Sequence, residues 1–123
     1  MRSLSLPLLA FSTLLLIAGC DRSSNKSPTF NDRLDVAMAN ANPVARDNML
    51  QTIAQEAAHA GDGAAVKKAV SGISNPTIKG MIADTCARTL KNKGQNQAAI
   101  EVAQLIPDAR ARDALLASLA TKR

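Results

Sequence analysis

The sequence predicts an all-α fold: a short right-handed stack of helical hairpins, about five helices, after a cleaved signal peptide and a tether. Three observations predict it. Of 123 residues 46% are hydrophobic, yet only 2% are aromatic and 23 are alanine. Alanine is the strongest helix former, whereas a β-sandwich would draw on β-branched and aromatic residues. From residue 31 onward the chain repeats every 33 residues with no insertion, the mark of stacked supersecondary units. Helix start and stop signals recur at the same place in each repeat: Asn42-Pro43, Asn75-Pro76 and Asp108 as starts, Gly61 and Gly94 as stops. The length suits one domain, and the apolar content excludes wholesale disorder.

Residues 1–19 read as an export signal. Arg2 gives a positive start, and an apolar run from Leu4 to Ile17 follows, broken only by small polar residues and Pro7. The run falls short of the roughly 20 apolar residues that span a bilayer. It ends in Ile17-Ala18-Gly19-Cys20, which resembles the lipobox of bacterial lipoproteins. That resemblance implies cleavage before Cys20 and lipidation of its thiol. The alternative is an ordinary secretory signal or an uncleaved anchor, with Cys20 incidental. Asp21 resembles the acidic signal that retains enterobacterial lipoproteins in the inner membrane, facing the periplasm. A processed chain would have 104 residues and a formal charge of +4. Several acyl chains would hold it firmly, at roughly 0.8 kcal/mol per buried methylene.

Residues 20–30 then form the lipidated Cys20 and a flexible tether. Positions 21–29 hold no apolar side chain except Pro28 and could extend roughly 30 Å, at about 3.3 Å per residue.

Residues 31–123 carry the repeat. Ala37, Val70 and Ala103 align, as do Arg46, Lys79 and Arg112; so do Ile53-Ala54, Cys86-Ala87 and Leu119-Ala120. An initial helix spans about 31–41. Asn42, Asn75 and Asp108 cap three longer helices that run to about Ala60, Asn92 and Thr121, with Pro43 and Pro76 at the first helical position, where no N–H is needed. Gly61 and Gly94 supply left-handed C-caps, and shorter helices follow at about 63–74 and 96–106. Spacings of one, three and four place Met49, Leu50, Ile53 and Ala57 on one face. The same holds for Ile82, Ala83, Cys86 and Leu90, and for Leu115, Leu116 and Leu119.

The apolar-small pairs, the glycine between helices and the residues Val66, Val70, Ile73 and Ala99, Ala103, Ile106 together resemble tetratricopeptide-type helical-hairpin repeats. The period is 33 rather than 34, and aliphatic residues or alanine fill that family's aromatic positions. The resemblance implies a groove on the long helices, lined by Asn48, Gln51, Gln55 and His59 and, in the second repeat, by Met81, Asp84, Arg88 and Lys91. Amides and charges there suit an extended peptide; a merely solvated face is the alternative.

Catalytic constellations are missing. A single His gives no metal-binding pair, and Gly61-Asp62-Gly63 lacks both the acidic ligands of a calcium loop and the lysine of a phosphate loop. No cofactor is expected. With Cys20 lipidated, Cys86 is left for the core or for intermolecular pairing. His59, Arg88, Lys91 and Lys93 lie at helix C-termini, where the dipole favours cations; a basic patch toward anionic lipid is the other reading. Nucleic acid is not an expected partner, since the chain is exported and Phe30 is its one aromatic after the signal.

The function expected is therefore that of a membrane-anchored scaffold or adaptor for an envelope protein or peptide, and not an enzyme. The alternative is a small exclusion or immunity lipoprotein of the plasmid or phage type.

Overall fold

The structure, a computed structural model, describes residues 28–121; Cys20 and Asp21 lie outside them. The described residues hold six helices and no strand, at the six segments placed from the sequence. These are α1 (Phe30–Met38), α2 (Pro43–Ala60), α3 (Gly63–Gly72), α4 (Pro76–Asn92), α5 (Asn96–Ala103) and α6 (Ala109–Ala120). Each short helix stops two or three residues before its expected end.

Local chemistry sets the boundaries. The side-chain oxygen of Asn42 accepts from the N–H groups of Val44 and Ala45, Asn75 accepts from Thr77 and Ile78, and Asp108 accepts from Arg110 and Ala111. Each side chain satisfies donors that the first helical turn leaves open. Thr29 and Asp32 close a reciprocal capping box, so α1 starts at Phe30, one residue before its expected start. Gly61 and Gly94 take φ of +77° and +80°, and the following N–H groups of Asp62 and Gln95 return to Ala57 O and Leu90 O, both at 2.9 Å. A β-branched residue would resist that left-handed turn.

The helices stack as hairpins, α2 with α3 and α4 with α5, and these are the most extensive helix contacts in the fold. The core is aliphatic and small: Leu50, Ile53, Val66, Val70, Ile82, Cys86, Leu90, Val102 and Leu115 are buried among alanines. Three residues of the expected core stripe, Met49, Leu116 and Leu119, are only half-buried. Met49 borders an opening between α1 and α2, and Leu119 borders the gap between α4 and α6.

Small side chains let the hairpins approach. A β-carbon on Gly63 would lie 2.5 Å from Ala98 Cβ, and one on Gly72 would lie 2.9 Å from Leu50 Cδ1. The C-termini of α2, α4 and α6 share one end of the stack. Gly61 lies beside the Lys93 and Gln95 side chains, and the Lys91 ammonium donates to Ser118 O and Thr121 O at 3.2 and 2.9 Å. The α1 N-terminus sits at that end too, tied by the Arg33–Glu56 ion pair at 2.8 Å.

Candidate functional site

The second-repeat residues expected in a groove all line the seam between α4 and α6. Toward the helix N-termini, Gly80, Met81 and Asp84 face Ile106, Pro107 and Asp108 across an opening of about 480 Å³. Toward the C-termini, Arg88 and Lys91 face Ser118, Leu119 and Thr121 across about 610 Å³. Met81 is 63% exposed at the lip. Asp84 accepts from Arg88 at 3.1 Å, one helical turn away. Lys91, in the last turn of α4, also caps the carbonyls at the end of α6, so its charge serves the neighbouring helix as well as its own.

The first-repeat set is not brought to this seam. Asn48, Gln55 and His59 are exposed on α2, and Gln51 is half-buried. The period of 33 carries Asn48, Gln51 and Gln55 onto Met81, Asp84 and Arg88, but it carries His59 onto Asn92. Lys91 is one residue off that register.

One buried carboxylate distinguishes the α2–α4 junction from the α4–α6 junction. Asp47 is only 5% exposed. It accepts from the Ser74 N–H at 2.9 Å, the Ser74 hydroxyl at 3.0 Å and the Asn75 N–H at 3.1 Å. Burial pushes its pKa up, but these hydrogen bonds and the nearby Arg46 outweigh burial and hold it below the usual carboxylate range. The clamp pins the loop before α4 onto α2. One repeat later the matching residues are Gly80 and Pro107-Asp108. Gly80 offers no carboxylate and Pro107 no N–H, so the third unit rests there without a clamp. Arg46 and, two repeats later, Arg112 do correspond, each donating to the carbonyl six residues earlier, Asn40 O and Ile106 O; Lys79 stands between them beside Gly80.

Gly80→Ala tests how open this end is. An added β-carbon would meet Ile106 Cγ2 at 3.8 Å and Pro107 Cδ at 3.9 Å, ordinary contact. The change should therefore stabilise the fold by about 0.5–1 kcal/mol through backbone entropy, read as a higher urea midpoint. A lower midpoint would mean that the opening is tighter than it looks.

Cys86 is fully buried, and burial pushes its thiol pKa up to about 12. The thiolate needed for disulfide exchange is therefore suppressed. Cys86 should resist thiol reagents in the folded chain, and Cys86→Ala should cost about 1 kcal/mol. Rapid labelling without denaturant would contradict this burial.

Among the described residues no helix is long and apolar enough to cross a membrane, and no group of His, Cys, Asp and Glu is placed to hold a metal ion. Comparison with protein-family models, curated proteins and solved structures finds no match to this chain.

Proposed function

We infer that this chain is a membrane-anchored lipoprotein facing the periplasm, whose helical stack acts as a protein–protein interaction scaffold. The observation that carries the interaction reading is the α4–α6 seam, an open groove with Met81 exposed at its lip and Asp84 and Arg88 beside it. An exposed methionine in an apolar cleft adapts to an incoming side chain, and the flanking charges fix polar neighbours. The anchoring reading rests on Ile17-Ala18-Gly19-Cys20, and the inner-membrane placement on Asp21. A rigid stack on a tether of ten residues or so would hold its partner within reach of the bilayer.

The test has two arms. Cys20→Ser should abolish lipid labelling and leave the precursor uncleaved; a variant still cleaved after Gly19 and released would refute the anchor. A photocrosslinker at Met81, used in intact membranes, should capture a discrete partner that one at the exposed Gln97 does not. Equal capture at both positions would refute the groove.

A further inference from the structure

The helix α1 stands in the register of α3 and α5, since Phe30, Gly63 and Asn96 are spaced by 33 residues. It is therefore the second helix of a hairpin, while α6 is the first helix of another. Among the described residues neither has its mate, and side-chain exposure records both halves. Val36 on α1 is 63% exposed, whereas its register equivalents Ala69 and Val102 are fully buried. At the other end of the stack, Leu116 is half-buried and Ala120 exposed, whereas Leu50 and Ala83, and Ala54 and Ala87, are fully buried at the matching positions.

The seat on α1 is an apolar groove of about 370 Å³ lined by Val36, Met49, Ile53 and Pro28. By register it is shaped for a first helix, and the open face of α6 is shaped for a second. We propose that α6 of one copy of this chain seats against α1 of another, completing a hairpin across a head-to-tail contact. Asp32 and Arg33 also line the seat; Arg33 is held by Glu56, and Asp32 accepts from the Thr29 N–H. With residues 1–19 removed, as the proposed function has it, residues 21–27 are uniformly polar and offer no apolar stripe to fill the seat. The contact joins two different surfaces, so it propagates into a row or ring rather than stopping at a symmetric dimer. Continuing the repeat keeps every α1 N-terminus, and hence every tether, at one edge of that row. The contact itself does not depend on lipid anchoring.

Ala54 and Ala69 stand equidistant from the Gly61-Asp62 turn, and Ala120 and Val36 occupy the same two register positions in the composite hairpin. Full-length chain in detergent, carrying either Val36→Cys or Ala120→Cys, should form no disulfide-linked dimer under mild oxidation, read on a denaturing gel. A mixture of the two variants should form a disulfide-linked dimer, and the double variant should form a ladder. No dimer from the mixture, or equal dimer from either variant alone, would overturn the proposal. Sedimentation of the wild type guards against a folding defect in the cysteine variants. Its mass should rise with concentration, and Ala120→Arg should abolish that rise at unchanged helical content. A wild type that stays monomeric, or an assembly indifferent to Ala120→Arg, would equally overturn it.

Discussion

Asp47→Ala is expected to lower the stability of the stack by about 2 kcal/mol, from the loss of several hydrogen bonds to a charged acceptor. Ser74 N–H and Asn75 N–H would lose their acceptor, and the loop leading into α4 would come off α2. The same carboxylate makes stability depend on pH with a definite sign. Its folded pKa is lowered beneath the unfolded value of about 3.9. Its contribution is therefore complete above that unfolded value and is lost as pH falls through the folded pKa. Urea unfolding followed by circular dichroism should show the gap between wild type and Asp47→Ala closing on acidification below about pH 4. Asp113→Ala is the control: Asp113 holds the matching place one repeat beyond Gly80, with its side chain 75% exposed, and should change stability by less than about 0.5 kcal/mol. Equal losses at the two aspartates would refute the clamp.

The second large effect is expected at Gly63, for a steric reason. Its β-carbon would sit 2.5 Å from Ala98 Cβ, and neither atom lies on a flexible side chain that could swing away. Gly63→Val should cost about 3 kcal/mol through overpacking and force α3 and α5 apart. Gly63→Val combined with Ala98→Gly should recover part of the loss, because the second change removes the colliding atom. A single variant as stable as wild type would mean that the two hairpins do not touch where they are placed. Gly80→Ala, predicted to stabilise, shows that position and not residue type decides the outcome.

Much of the candidate site was legible in the sequence, and the parts that were not share a cause. Met81, Asp84 and Arg88 could be placed on one face because helical spacing and the 33-residue period are counted along the chain. Their neighbours across the seam, Ile106 and Pro107, could not, since only packing brings α6 to α4. Asp47 gave one readable signal, an acid one repeat before Gly80, with Ser74 correspondingly one repeat before Pro107. Its meaning needed the loop to be folded back onto α2.

The sequence by itself determined the helices, their order and their caps. Asn42, Asn75 and Asp108 bond to N–H groups two and three residues away, and Gly61 and Gly94 turn the backbone within a single residue, so these features need no tertiary partner. Tertiary structure decided the rest. Asp47 reaches Ser74 across 27 residues, Lys91 reaches Thr121 across 30, and Gly63 meets Ala98 only because two hairpins are stacked. It also decided which apolar residues remain in water: Val36 and Val102 are the same residue at the same register position, one 63% exposed and the other buried. What separates them is the helix packed alongside, since burial belongs to the assembled surface and not to the residue.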